Sequence, residues 1–409
     1  MAAPCYTDSG HSGPTSPPYS ASVTDGERIL QLRPSLSMLP INLPDQYVFQ
    51  SQRIKLDLGA RIWPTRTPCF GRASKVDGTV SVTTLDHVKR LTVTVEAIVK
   101  SSFMERGVLA GHIESTIFQR TLTLYTNSPG SSEVALQYPF SINLPITCDK
   151  DANPLPPSFV CYLPGVSAEI RYRIRIDMSR SGLRRRESLI VPIPYLPRSH
   201  TLPTTRNMPL FSDQASLLSE SPGMEELHLA PKSITSPKKL NKSRGLSTTD
   251  VQAKIALPSP LVVASGERIP FVITIYSQSQ ALAALYTDIS LQLIRITRIK
   301  AYEKTSLNEV ALSAGEVYDS QELGDGMQVL RGELGNGAPG SEHSWSAAGV
   351  VEVRHVIRLS VKPPQCTAAL SANLPMFEGM VAIEIMTHRY TPELDATVPA
   401  LGMIGMSAT

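Results

Sequence analysis

Arg171, Arg173 and Arg175 recur at every second position of IRYRIRI, and Arg180, Arg184, Arg185 and Arg186 follow before residue 187. Guanidinium groups form paired hydrogen bonds with carboxylates and phosphates, so a row of them offers recognition of an anion, not bond making. Residues 168–186 hold seven arginines against Glu169 and Asp177, a local surplus of five positive charges in a chain whose formal net charge is +3. On an extended strand Arg171, Arg173 and Arg175 share one face, and Ile170, Tyr172, Ile174 and Ile176 share the other, buried one. Two readings stand open. The arginines are the wet side of a half-buried strand paired with cross-strand acids, or they meet an acidic partner: a phosphorylated tail or an anionic lipid headgroup. Arg184, Arg185 and Arg186 follow Ser181-Gly182 in a loop, where attraction to an anionic leaflet reaches roughly 1 kcal/mol per charge. A second basic stretch runs from Ser236-Pro237-Lys238-Lys239 to Lys242-Ser243-Arg244. Phosphorylation of Ser236 would turn it into a mixed segment and act as a switch.

Other chemistry is sparse. The eight histidines show no HxH, HExxH or close Cys-His spacing, so neither a metal site nor a cofactor is expected. No GxSxG elbow and no Walker lysine occur, and the glycines of GDGMQVLRGELGNGAPG lack the strand-to-helix setting that cradles phosphate. Glu225 and Glu226 lie in a polar stretch, a poor place to tune an acid against a base. The chain reads as a binding protein and not an enzyme.

Composition bounds the rest. The 409 residues are 42% hydrophobic, enough for two or three domains with cores. Thirty-nine basic against 36 acidic side chains are too balanced for a dedicated nucleic-acid binder. Five cysteines, widely spread and without a CxxC pair, suggest free thiols in the cytosol. The first twenty residues lack the apolar core of a signal peptide, and no apolar stretch approaches the roughly 20 residues of a membrane span. A cytoplasmic protein, at most peripheral to the plasma membrane or endosomes, is the expectation.

Elements that can position the arginines follow from periodicity. RIKLDLGARI (53–62), GTVSVTTL (78–85), KRLTVTVEAIVKS (89–101), STIFQRTLTLY (115–125), IRYRIRIDM (170–178) and ESLIVPIPY (187–195) are β-branched runs with frequent alternation. In KRLTVTVEAIV, Leu91, Val93, Val95 and Ala97 project to one side and Thr92, Thr94 and Glu96 to the other. Strand texture resumes in VQAKIALPSPLVV (251–263), IPFVITIYS (269–277), DISLQLIRITRIKAYE (288–303), GVVEVRHVIRLSV (349–361) and MVAIEIMTHRY (380–390). The apolar face of DISLQLIRITRI switches mid-strand, from Leu291 and Leu293 to Ile294 and Ile296, which predicts a bulge or a strand serving two sheets. The organisation predicted is all-β: a disordered arm over 1–27, an immunoglobulin-like β-sandwich over 28–198 and a flexible linker or insertion over 199–249. A second sandwich follows over 250–392, with a flexible tail over 393–409. DQASLLSESPGMEELHL allows a turn or two of helix, and LGDGMQVLRGELGNGAPGSEHSW (323–345) reads as an extended loop.

Several of these segments, in order, resemble the arrestin family, specifically fungal arrestin-like proteins of the α-arrestin type. They are CFGRASKVDGTVSV, LQYPFSINLPIT, NPLPPSF, and AEIRYRIRI running to LIVPIPYLPR, over about 170 residues in the first half. VASGERIPFVITIYSQSQ leading to DISLQLIRITRI is similar to the opening of an arrestin C-terminal domain, and HSWSAAGVVEVRHVIRLSV to a later strand of it. The resemblance implies two sandwiches side by side in a cytoplasmic adaptor without catalysis. Its implied partners are membrane receptor or transporter tails and the ubiquitination machinery, and its implied processes are endocytosis and signalling. A retromer-like or other coat subunit of the same architecture is the alternative. α-Arrestins typically dock a WW domain of a ubiquitin ligase through PPxY. This chain has no PPxY: Pro17-Pro18-Tyr19 lacks the spacer, and Pro156-Pro157-Ser158-Phe159 ends in phenylalanine. The family's phosphate-sensing polar core has no residue-by-residue counterpart, because ESLIVPIPY carries no arginine where one is needed.

Overall fold

A computed structural model describes residues 43–105, 108–127, 135–181, 186–203, 223–232, 250–323, 326–363, 374–393 and 395–404. These residues form an all-β protein of several mostly antiparallel sheets with one short α-helix. The first half contributes β1 (Gln46–Gln50), β2 (Ile54–Ala60), β3 (Lys75–Val82), β4 (Val88–Glu105), β5 (Val108–Thr126), β6 (Gln137–Asn143), β7 (Phe159–Leu163), β8 (Val166–Arg180) and β9 (Glu187–Ile193). One sheet has the order β1-β2-β3-β6; the other runs β5-β4-β8-β7, with β9 also on β8. Alternation writes both: Leu91, Val93, Val95 and Ala97 of β4 and Ile170, Tyr172, Ile174 and Ile176 of β8 are buried in one core with Ile54, Leu56, Val76 and Val80. Burying each such branched side chain contributes roughly 1.5–3 kcal/mol.

The second half adds β10 (Met224–His228), β11 (Ala230–Lys232), β12 (Val251–Pro258), β13 (Val262–Ala264), β14 (Arg268–Ser277), α1 (Gln280–Ala283), β15 (Asp288–Ala301), β16 (Lys304–Leu323), β17 (Met327–Gly335), β18 (Trp345–Ala347), β19 (Val351–Lys362) and β20 (Met376–Met386). Its main path is β10-β12-β14-β17-β16-β15-β19-β20-β11. The first part of β16 pairs with β15 and its last part with β17, so β16 is the strand that serves two sheets. A bulge lies opposite Leu293/Ile294, where the apolar face of β15 switches. Leu291 and Leu293 enter the second core, while Ile294 and Ile296 pack with Val356 in a separate patch. Farther along, Ile299 joins Ala347, Val351 and Val353 in the first core. One strand thus reaches both hydrophobic interiors.

Three stretches differ from the sequence expectation. The glycine-rich tract over 323–345 is not all loop: β17 lies inside it, between β14 and β16. Gly332 belongs there because a Cβ would come within 2.2 Å of the Glu316 carbonyl oxygen and 2.5 Å of the Phe271 ring. Within the expected linker, Met224–His228 pairs as a strand with β12 and Ala230–Lys232 pairs with β20, while residues 213–222 of the stretch that allowed a helical turn lie outside the described residues. Polar side chains of an edge strand carry little alternation to read. The expected tail is docked through residue 404. Ala400 and Met403 are buried with Cys69 and Leu196, the Ser74 hydroxyl donates to Thr397 O at 3.0 Å, and Ala400 N donates to Leu196 O at 2.9 Å.

Candidate functional site

β8 runs between β4 on one edge and β7 then β9 on the other, which fixes where its arginines stand. The β4 register sets Arg173 directly opposite Glu96. Arg173 Nε is 2.7 Å from Glu96 Oε1, and Arg175 Nη1 is 3.5 Å from the same oxygen. Arg175 Nε also lies 3.0 Å from Asp177 Oδ2, and Arg186 Nη2 is 2.8 Å from that oxygen. The Ser188 hydroxyl donates to Asp177, and Arg171 pairs with Glu169. Glu96 and Asp177 are buried, whereas the side chains of Arg171 and Arg186 stay 57% and 63% exposed. Each buried carboxylate therefore lies within ion-pair distance of two guanidiniums, although Arg175 Nε has no aligned hydrogen bond, and the outermost pair, Arg171 and Arg186, keeps much of its surface open. Arg184, Arg185 and Ser236 lie outside the described residues.

A second cluster forms where the halves meet. Tyr195 and residues 197–200 after β9, residues 343–346 entering β18, and Arg72 line a cavity of about 360 Å³. A clasp fixes its floor: Ser199 N donates to Thr387 Oγ1 at 2.8 Å, His388 N to Ser199 O at 3.0 Å and Thr201 N to His388 O at 3.1 Å. The other wall is held by a buried polar chain. Ser344 N donates to Ile385 O at 2.9 Å, and the Ser344 hydroxyl shares a hydrogen bond with His355 Nδ1 at 2.9 Å. His355 Nε2 in turn meets Glu342 Oε2 at 3.1 Å, and Arg295 Nη1 lies 3.1 Å from Glu342 Oε1. Glu342 is thereby answered from two sides.

The groups facing the cavity are not answered. Arg198 Nε, both ring nitrogens of His200, His343 Nδ1 and Trp345 Nε1 are shut off from solvent and have no hydrogen-bond partner. Among the described residues neither Arg72 nor Arg198 forms a salt bridge. Glu384 is the one carboxylate in the lining. Burial pushes the His200 imidazole below its ordinary pKa, and the positive fields of Arg198 and Arg72 push it further. Burial lowers His343 to about 4, with His355 adding to the effect, and it lowers His388 alongside Arg198 and His200. The imidazoles are thus neutral at pH 7 beside two permanent cations.

Reactive thiols and metal ligands are a different matter. Burial raises Cys69 and Cys161, and burial with the nearby Asp151 raises Cys148 to about 11, which disfavours the thiolate a nucleophile needs. Among the described residues no group of three or more His, Cys, Asp or Glu is placed to hold a metal ion, and no helix is long and apolar enough to cross a membrane. Gly335-Asn336-Gly337-Ala338-Pro339-Gly340 has GxGxxG spacing after a strand, but the next element is β18, not a helix. Its Asn336 side chain is committed within the fold, donating to Ala264 O at 2.6 Å and accepting from Gly266 N at 2.5 Å.

The cavity residues went unnoticed in the sequence because Arg72, Arg198, His200, His343 and Trp345 are far apart along the chain. The available signal was LPRSH and EHSW, two short loops that each carry a histidine beside an arginine or a tryptophan. Compared with known proteins, the chain matches no family model and no curated protein.

Proposed function

We propose that the chain is a non-catalytic adaptor of the arrestin type, which binds acidic segments of membrane receptor or transporter tails at the cytoplasmic face and links them to endocytosis, ubiquitination or signalling. One observation carries this reading: Glu96 and Asp177, both buried, hold the guanidiniums of β8 in a fixed row with Arg171 and Arg186 open at its ends. A row already ordered loses little side-chain entropy on binding, so the surplus positive charge is available to an extended acidic peptide. The all-β architecture with two hydrophobic interiors supports it as a rigid presenter of surfaces.

The test is fluorescence anisotropy of an acidic tail peptide against the full chain and against Arg171→Ala/Arg186→Ala, with a charge-reversed peptide as control. The expected result is several-fold weaker binding by the variant and loss of binding as salt rises. Equal affinity of the two proteins would remove the reading. Anionic liposomes captured in place of the peptide would move the site to a membrane surface. In cells, proximity labelling with the intact chain should recover transporters, receptors and ligase subunits. A single stoichiometric partner would point instead to a coat subunit.

A further inference from the structure

The arginine row on β8 leaves the junction cavity unexplained, because none of its arginines lines that space: the lining draws on Arg72 and Arg198. Five nitrogens, Arg198 Nε, His200 Nδ1 and Nε2, His343 Nδ1 and Trp345 Nε1, are buried there without partners. An unsatisfied buried polar group is costly, so several of them in one wall are the mark of a place where something else supplies the hydrogen-bond partners.

The chemistry of that acceptor follows from the groups. Trp345 can only donate, and so can Arg72 and Arg198. A metal cation is disfavoured by two guanidiniums and a single carboxylate, Glu384. A neutral polyol offers no charge to balance the arginines. A tetrahedral oxyanion accepts hydrogen bonds in several directions at once, which suits donors arriving from three separate segments, around 72, 198–200 and 343–345. At about 360 Å³ the space falls within the range of small-molecule sites and holds more than the oxyanion. Pro156 and Leu155 supply an apolar wall for the remainder of the molecule. We propose that the junction cavity is a binding site for a small organic phosphate, whose phosphate group is held by Arg198, His200, His343 and Trp345 with the exposed Arg72 at the entrance.

Such a ligand touches both halves, because Arg72 and the 198–200 segment come from the first half of the chain and residues 343–345 from the second. It therefore stabilises the folded chain by mass action. It also draws protons: an anion beside His200 and His343 favours the imidazolium form, so binding is tighter at pH 6 than at pH 7.5 and is accompanied by proton uptake.

The experiment is isothermal titration calorimetry on the full chain with glucose 6-phosphate, inorganic phosphate and glucose, at both pH values and in two buffers of different ionisation enthalpy. Glucose 6-phosphate is expected to bind saturably and tighter than inorganic phosphate, to take up protons and to raise the melting temperature, while glucose does nothing. Arg198→Ala should weaken it at least about tenfold, as loss of a charge-assisted hydrogen bond does, and Arg198→Lys should restore part. Nuclear magnetic resonance of the histidine C2 protons in the unmodified chain gives a reading that needs no variant: His200 and His343 should shift on titration. Absence of saturable binding by either phosphate at millimolar concentration overturns the proposal, as does unchanged affinity in a folded Arg198→Ala. Capture of a phosphopeptide but neither small phosphate overturns it in favour of a macromolecular ligand. Arg171→Ala/Arg186→Ala should keep full phosphate affinity, so this site and the tail-binding row fail separately.

Discussion

On β8, Glu96 and Asp177 each hold two guanidiniums, whereas at the junction Arg72 and Arg198 stand beside imidazoles and one carboxylate. The same residue types end in opposite states because different geometry places them. A strand register repeats, so an acid on β4 or β8 faces or flanks each arginine and pairing comes with the sheet. Apart from Trp345, which opens β18 opposite Val353, the cavity groups arrive on loops; Asp395 feels the charge of Arg198, but among the described residues no acid forms a salt bridge with Arg72 or Arg198. The difference separates charge that the fold consumes from charge that the fold leaves for a ligand, and its sharpest control is the Arg295–Glu342–His355 chain, which lies beside the cavity yet is fully paired.

Breaking that control should have the largest effect. Arg295 is 14% exposed and His355 is wholly buried, so Glu342→Ala strands a buried cation and an imidazole together. Removing one partner of a buried pair costs about 3–5 kcal/mol, and chemical denaturation should show a midpoint lowered accordingly. Glu342→Gln, which keeps one acceptor, should lose less. A loss below 1 kcal/mol would mean that the chain beside the cavity is as loosely held as the cavity wall.

Glu96→Gln tests the ladder in the same way with a smaller expected loss, about 1–3 kcal/mol, because Arg173 and Arg175 are 27% and 28% exposed and can turn to water. The substitution should also weaken binding of an acidic peptide, since Arg173 and Arg175 lose the anchor that orders them. If stability falls and peptide affinity rises instead, the row works by net charge and not by fixed position.

How much of this was legible depends on periodicity. The inward faces of β4 and β8 could be read directly, since Leu91, Val93, Val95, Ile170, Ile174 and Ile176 alternate without interruption and all are buried. The all-β class followed from the same signal. The face switch in β15 was legible as well, although the strand shared between sheets proved to be its neighbour β16. β17 was hidden by glycines that serve close packing, and β10 by an acidic edge with no alternation. The docking of Ala400 and Met403 is a long-range event that local pattern does not encode. For the candidate sites, the arginines of β8 stood out through spacing, but their acids did not, because Glu96 lies on another strand. The cavity has no local signature at all beyond LPRSH and EHSW.

A gentler effect should come from pH. His343 titrates near 4 in the folded chain and near 6.5 when unfolded, so the unfolded state binds more protons between those values. Its contribution to stability is complete above about pH 6.5 and is lost as the pH falls towards 4. Any local opening that let the ring reach water would trim the loss, which is expected on the order of 1 kcal/mol. Denaturation midpoints measured across this window should fall with acid, and His343→Gln should flatten the profile. Saturating glucose 6-phosphate should reverse its slope near neutrality, because the ligand favours the protonated ring.

The smallest effect belongs to a pair that has the ladder's chemistry without its burial. Arg120 grips Asp149 with Nη1 to Oδ2 at 2.8 Å and Nη2 to Oδ1 at 2.7 Å, but the two side chains are 45% and 37% exposed. The hydrogen bonds from Arg120 hold the Asp149 carboxyl below its ordinary value despite some desolvation. Whatever stability this pair adds is present above the ordinary carboxylate pKa and is lost as the pH falls through the depressed one. Solvent competes for both groups, so Arg120→Ala should cost about 1 kcal/mol or less and the difference should shrink at high salt. A double-mutant cycle with Asp149→Asn reads the coupling directly. The geometry here is the better of the two, with two parallel hydrogen bonds where Arg173 and Glu96 have one. If Arg120→Ala nonetheless costs less than Glu96→Gln, burial of the acid sets the worth of these arginine contacts; if it costs as much, pairing geometry does, and the open cavity groups lose their special standing.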